Sequence, residues 1–159
     1  MTRMERAKTG AVTEECLAVA KTEHTVGVAI RDGLASGEIA VCANNRREIE
    51  PIAVGRGMRI KVNANIGTSS DASSVEEEVE KALTAKEFGA DMIMDLSTGG
   101  DIPGTRRRIL ESVPLPLGTV PIYEAGVWAA KNRQGMVRMT ADDLFSIIEQ
   151  HLDGGVDFI

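Results

Sequence analysis

The pattern of hydrophobic and polar positions changes character near residue 59 of this chain. Beyond that point, short apolar runs typical of buried strands alternate with longer segments whose apolar residues recur every three or four positions, as on one face of a helix. Strands are predicted at 61–66, 91–96, 117–122 and 156–159. This alternation indicates βαβ units built on a parallel sheet.

Three helices are predicted between these strands. The first begins at Ser73 and Ser74, each of which precedes a glutamate by three positions, as in a capping box, and it ends at Gly89. Its apolar stripe is expected to pack on the sheet. The second helix is predicted at 105–112, and the third at 140–152, where apolar residues recur at helical spacing.

The first 58 residues have a different pattern. A short helix is predicted at 13–21 with Thr13 as its N-cap, and the glycine-containing segment 31–37 is interpreted as turns. Two short strands are predicted at 39–43 and 51–54. Residues 1–58 are therefore interpreted as a small N-terminal α+β appendage.

The fold class predicted for the remainder, residues 59–159, is α/β. Residues 88–93 resemble residues 154–159, and each marks a helix that leads into a strand. This spacing favours a (β/α) barrel over a doubly wound sheet, although the sequence separates the two weakly. A TIM-type barrel needs about 250 residues, so a partial barrel is expected, about the first half. Its open edge should make the isolated chain poorly soluble or oligomeric.

Composition and charge narrow the function classes. The chain has 159 residues, 43% of them hydrophobic, and a net charge of -6, which disfavours nucleic acid as a partner. No apolar stretch is long enough to span a membrane, so no membrane partner and a cytoplasmic location are expected. The basic run 106–108 is interpreted as a solvated helix turn, and neither His24 nor His151 has a partner at metal-ligand spacing. Cys16 and Cys42 indicate neither a disulfide framework nor a metal site.

Polar residues gather where the predicted strands end. In barrels, the carboxyl ends of the strands form the active site. The Asn65 side chain can donate and accept hydrogen bonds there, or it can cap a turn. Met94 by pattern is a core residue, and Tyr123 either reaches a cleft or packs at the rim. The glycine and hydroxyl loops 67–70 and 97–100 are a weak signal for phosphate binding.

Three motifs, at 61–67, 94–99 and 118–123, resemble the phosphomethylpyrimidine synthase (ThiC) family of thiamine biosynthesis. The similarity covers nearly the whole chain but only the first part of the family's length. The segment 41–46 departs from the family's usual proline-bearing version, which leaves the role of this segment open.

The resemblance implies a radical S-adenosylmethionine (SAM) carbon–carbon lyase that rearranges 5-aminoimidazole ribotide into 4-amino-5-hydroxymethyl-2-methylpyrimidine phosphate. Family substrate contacts match Asn65, Met94 and Tyr123. The family also implies SAM, a [4Fe–4S] cluster and zinc as cofactors, and a homodimer for the complete enzyme. The ligands of the cluster and of zinc are not in this sequence, so we expect the isolated chain to be inactive.

A second reading belongs to a different functional class. The chain would be a non-catalytic half-barrel that binds a phosphorylated small molecule or a complementary chain.

Overall fold

The computed structural model describes residues 1–72 and 74–159 and shows a mixed α/β architecture. Its helices in this part of the chain are α1 (Arg3–Lys8), α2 (Glu14–Thr22), α3 (Gly27–Ser36), α4 (Val75–Glu87), α5 (Ile102–Ser112), α6 (Pro121–Asn132) and α7 (Ala141–Asp153), with a 3₁₀ helix at Met136–Arg138. Its strands are β1 (Ile39–Cys42), β2 (Ile52–Gly55), β3 (Asn63–Ile66), β4 (Met92–Asp95) and β5 (Leu117–Thr119). None of these helices is long and apolar enough to cross a membrane.

The N-terminal layer packs α1, α2 and α3 around the antiparallel pair β1–β2. The predicted cap of α2 is confirmed, since the Thr13 hydroxyl accepts the Cys16 amide at 3.4 Å. The two predicted strands are also confirmed. Helix α1 was not predicted, although Thr2 and Glu5 form a capping box that marks its start.

The prediction that residues 31–37 form turns is wrong, because most of this segment belongs to α3. Its glycine has a packing role: a Cβ at Gly33 would come within 2.3 Å of the Ile39 side chain, so the bare backbone lets the helix lie against β1. Ile30 and Leu34 are buried on the same helix. Only Gly37, in the left-handed region with φ 78°, ends it as a C-cap.

The second sheet is parallel, with the order β3–β4–β5, as the alternating pattern predicted. Beyond β5, the predicted fourth strand is reduced to one parallel bridge between Gly118 and Phe158. The sheet is not closed, so the partial barrel stays a prediction, as does the domain boundary between residues 58 and 59. A separate core of apolar side chains lies between this sheet, α4 and α5: Ile66, Ala82, Ile93, Ile109, Val113 and Leu117.

The predicted helices of this half are present. Ser74 caps α4 by accepting the Glu77 amide at 3.2 Å, whereas the second predicted cap, Ser73, lies outside the described residues. Only part of the predicted apolar stripe packs on the sheet, since Phe88 is exposed. Helix α7 begins at a capping box formed by Thr140 and Asp143.

The third predicted strand is too long. It ends at Thr119, and α6 begins at Pro121, where the fixed φ of proline suits the first turn of a helix. The short, mostly apolar run 117–122 therefore includes a change from strand to helix. Tyr123 consequently lies in a helix and not at the end of a strand.

Buried polar contacts hold the N-terminal layer against the parallel sheet. Asn44 donates to Asp157 Oδ1 at 2.8 Å, and Arg47 donates to Asp157 Oδ2 at 3.0 Å. The same Asp157 oxygen accepts the Leu117 amide of β5 at 2.8 Å. The sequence assigns no role to segment 41–46. In the structure, Asn44 of this segment binds the side-chain carboxylate of Asp157.

Candidate functional site

The register of the parallel sheet brings two of the predicted site residues together. Asn65 pairs with Met94, and Met94 pairs with Gly118. Cross-strand neighbours point to the same face, and their sequence neighbours Ile93 and Leu117 face the core against the helices. Asn65, Met94 and Gly118 therefore form a row on the opposite face, with the Asn65 side chain exposed and Met94 partly buried.

The ring of Phe158 closes one end of this row. The Phe158 carbonyl accepts the Thr119 amide at 3.2 Å, which places the ring over Gly118. A Cβ at Gly118 would come within 2.2 Å of the ring, so only glycine leaves room for it. The row thus offers an amide, a thioether and an aromatic ring side by side at the carboxyl end of the sheet.

The two loops that follow β3 and β4 are bonded to each other. Thr68 donates its amide to Ser97 Oγ at 3.0 Å and its hydroxyl to the Gly99 carbonyl at 2.6 Å. The amide of Thr98 donates to the Thr68 carbonyl at 2.8 Å, and that of Gly67 donates to Glu78 at 2.7 Å. The amides of Gly67, Thr68 and Thr98 are therefore engaged within the protein and tie the two loops into one rim, while phosphate binding by these loops stays a prediction.

Tyr123 lies in the first turn of α6, with 46% of its surface exposed. Its amide donates to the Val120 carbonyl at 3.0 Å, which closes the turn that follows β5. The next residue, Glu124, points inward and is partly buried. The structure therefore places Tyr123 at the same edge of the sheet as the row, on a different kind of element from the one predicted.

A buried polar network lies on the helix side of this edge. Arg106 of α5 donates to Glu124 Oε2 at 2.6 Å, and His151 Nε2 lies 2.7 Å from the same oxygen. His151 Nδ1 lies 2.7 Å from the hydroxyl of Thr119, the last residue of β5. The network connects α5, α6, α7 and the sheet through four side chains.

The pKa values of two carboxyls in this region are shifted in opposite directions. Burial alone would raise the pKa of Glu124, but the hydrogen bond from His151 and the charge of Arg106 lower it below its usual value. Burial raises the pKa of Asp95, although its Oδ1 accepts the Ser97 amide at 2.9 Å. Glu124 is therefore held as a carboxylate.

Sequence reasoning missed this network. Arg106 was assigned to a solvated turn, which is wrong, and His151 was left without a role. The helical spacing carried the signal: Arg106 falls between Ile102 and Ile109 on the buried stripe of α5, and His151 follows Ile147 by one turn. A polar residue at an inward position needs a buried partner.

A cleft of about 280 Å³ opens beside Glu124, between α5, α6 and α7. Ile102, Trp128 and Ile147 line it. Trp128 belongs to α6 and forms a wall of this cleft.

The chain provides no metal centre in the part that the structure describes, since no three His, Cys, Asp or Glu side chains there are grouped to hold an ion. Cys16 is buried in the N-terminal layer, and Cys42 lies partly buried on β1. Iron–sulfur clusters are held by several cysteine thiolates, so these residues do not fit such a group.

Comparison with known proteins connects this arrangement to one family. The sequence profile of the Radical SAM ThiC family matches residues 2–159. A phosphomethylpyrimidine synthase from Pyrococcus furiosus is 48% identical over 160 residues, covering 100% of this chain and 37% of that protein. Phosphomethylpyrimidine synthase from Thermus thermophilus is 49% identical over 161 residues, with 100% and 37% covered. The chain thus spans little more than a third of the length of these relatives.

Proposed function

The chain belongs to the Radical SAM ThiC family, and we propose that it forms the substrate-binding part of a phosphomethylpyrimidine synthase of thiamine biosynthesis. The substrate would be 5-aminoimidazole ribotide, which the complete enzyme would convert to 4-amino-5-hydroxymethyl-2-methylpyrimidine phosphate as a carbon–carbon lyase. The observation that carries the proposal is the row formed by Asn65, Met94 and Gly118 at the carboxyl end of the sheet.

Each part of the row suits an amino-imidazole with a sugar attached. The Asn65 amide can donate to a ring nitrogen or sugar hydroxyl and accept from an amino group. Met94 and the ring of Phe158 give the heterocycle an apolar wall against which to pack. Tyr123 at the rim adds a phenol that can donate or accept.

The family name implies SAM and an iron–sulfur cluster, and the family resemblance adds zinc. Because the residues of this chain do not fit the cluster or the zinc, no chemical step is assigned to either here. The proposed share of this chain is to bind and orient the ribotide. The resemblance also supports a homodimeric, cytoplasmic complete enzyme.

Isothermal titration calorimetry of the chain with 5-aminoimidazole ribotide tests the proposal. Replacing Asn65 with alanine should weaken binding roughly 2- to 10-fold, the loss of about one hydrogen bond. Asn63→Ala is the matched control, because Asn63 lies two residues earlier on the same face and is also exposed. It should leave the affinity unchanged.

Two results would count against the proposal. The first is no binding heat from the wild-type chain, and the second is an equal loss in the Asn63 and Asn65 variants. Either would mean that the row does not form the ribotide site.

A further inference from the structure

We propose that Glu124, held by Arg106 and His151, is a positioning residue that sets where Tyr123 lies at the edge of the sheet. The inference rests on the proposed function in one respect, namely that Tyr123 contacts the substrate. It assigns a role to a buried network that the binding row does not itself use.

The buried residues of α6 are mostly small. Besides Pro121 at its start, the helix buries only the small residues Ala125, Gly126 and Ala129, and it contacts α7 and the 3₁₀ helix. Small side chains make few interlocking contacts, so such a surface resists sliding and rotation weakly. Glu124 instead extends from the first turn to Arg106 on α5 and to His151 on α7, which binds Thr119 on the sheet.

The position of Glu124 also fixes that of Tyr123. Successive helix residues are separated by about 100° and 1.5 Å along the axis, so a carboxylate held from two directions fixes the orientation of the neighbouring side chain. Both bonds are made to one oxygen, Oε2, and both are short. A charge-assisted pair of this kind is stronger and more directional than a neutral hydrogen bond.

The imidazole can keep the network intact in either protonation state. The Glu124 carboxylate only accepts, so His151 Nε2 must carry a hydrogen. A neutral ring then accepts the Thr119 hydroxyl at Nδ1, and a protonated ring donates to the same oxygen. The charged and titratable groups of this network are Glu124 from α6, which His151 and Arg106 both contact, and Asp95 from β4, on which the charges of Arg106 and Glu124 act. Loss of the network with pH should therefore follow the Glu124 carboxyl.

NMR of the Tyr123 ring tests this inference without any ligand, because Tyr123 is the only tyrosine and can be labelled selectively. Arg106→Gln should shift the Tyr123 ring signals, and Arg106→Lys, which restores the charge, should bring them part of the way back. The control is Arg107→Gln, since Arg107 is the exposed neighbour on the same helix. It should leave Tyr123 unchanged.

A pH series separates positioning from a general loss of structure. On acidification of the wild-type chain, the Tyr123 signals should move with the Glu124 carboxyl signal while the methyl signals of Ile93 and Leu117 in the core stay fixed. In Arg106→Gln the midpoint of the Tyr123 change should rise, because the cation that favours the carboxylate is gone. In Arg107→Gln it should stay where it is in the wild type.

Unchanged Tyr123 signals in a folded Arg106→Gln variant would overturn the inference. If that variant fails to fold, the wild-type pH series decides, and Tyr123 signals that ignore the Glu124 titration would equally overturn it. Tyr123 signals that respond as expected, without ribotide binding in the calorimetry, would support the positioning role and reject the proposed substrate. Ribotide binding together with Tyr123 signals that do not respond would support the proposed substrate and reject the positioning role.

Discussion

Lys61→Met removes the cation of a buried ion pair that joins the N-terminal layer to the segment before β3. Lys61 Nζ lies 2.6 Å from Glu23 Oε1, and the two side chains are only 5% and 4% exposed. The other oxygen of Glu23 accepts the Arg59 amide at 2.7 Å. Methionine keeps the apolar stem of lysine, so the change tests the charge and its bonds.

We expect a loss of about 3 kcal/mol of unfolding free energy at pH 7. Breaking one side of a buried pair costs about 3–5 kcal/mol, because the remaining charge is left in a poor environment. The lower end of this range applies, because the Arg59 amide still donates a hydrogen bond to the Glu23 carboxylate. For a chain of this size, each kcal/mol corresponds to about 2–4 °C, so the melting temperature should fall by about 6–12 °C.

The loss of unfolding free energy caused by Lys61→Met should shrink as the pH falls. Burial opposes the charged form of Glu23, but the bonds from Lys61 and the Arg59 amide outweigh it and lower the pKa of the carboxyl. A carboxyl whose pKa is lower in the folded state than in the unfolded state stabilises the fold at pH values above its unfolded-state pKa. This stabilisation is lost as the pH falls through the folded-state pKa. Without Lys61, the effect of burial is less opposed and the pKa of Glu23 rises. The variant therefore regains unfolding free energy as Glu23 is protonated. The difference from wild type should therefore shrink as the pH falls through the raised pKa of the variant and then through the lowered pKa of the wild type, and it should be smallest below both.

Urea unfolding followed by circular dichroism and by the fluorescence of the single tryptophan, Trp128, measures this effect at pH 7 and at a series of lower pH values. The control is Arg56→Met, which breaks a pair with Glu38 whose side chains are 78% and 43% exposed. Such a surface pair contributes about 0–1 kcal/mol. Equal losses in the two variants at pH 7, or a Lys61→Met deficit that grows on acidification, would refute the reasoning.

Three further predictions concern other parts of the fold. Gly118→Ala should cost about 1–3 kcal/mol in urea unfolding, because its Cβ would collide with the Phe158 ring; a cost that persists in full alongside Phe158→Ala would contradict this origin. The hydrogen bonds and charge of Arg133, together with hydrogen bonds from Thr140, lower the pKa of Asp143 to about 2, so Arg133→Gln should raise the carboxyl's NMR midpoint, and an unchanged midpoint would contradict the role of Arg133. Burial and a nearby carboxylate raise the pKa of the Cys42 thiol, so iodoacetamide should alkylate it more slowly than free cysteine at pH 8, as mass spectrometry would show; an equal rate would argue against the buried thiol.

Local signals were sufficient for most elements of this chain. Thr13 and Thr140 cap helices where the sequence places them, and strands β3 and β4 lie within the predicted runs. The face of the sheet that carries Asn65 and Met94 follows from the alternation of side chains, once parallel pairing is inferred. These features depend on contacts between residues close in sequence or on a regular period.

The predictions that failed concern two segments whose local pattern fits more than one structure. Residues 31–37 contain glycines that favour turns locally, yet packing of Gly33 against Ile39 keeps them helical. Residues 117–122 form a short, mostly apolar run typical of a strand, yet the chain turns into α6 after Thr119. In the first case, close packing accompanies the helix; in the second, a proline suited to the first helical turn marks its start.

The amino-acid sequence by itself determined the family and the alternating α/β pattern, and it proposed Asn65 and Met94 as site residues. Only the tertiary structure decided that Arg106 and His151 are buried and that both bind Glu124. The physical reason is that a buried charge is acceptable only beside its partner. Arg106, Glu124 and His151 are 18 and 27 positions apart in sequence, so no local pattern shows that the folded chain brings them within hydrogen-bond distance.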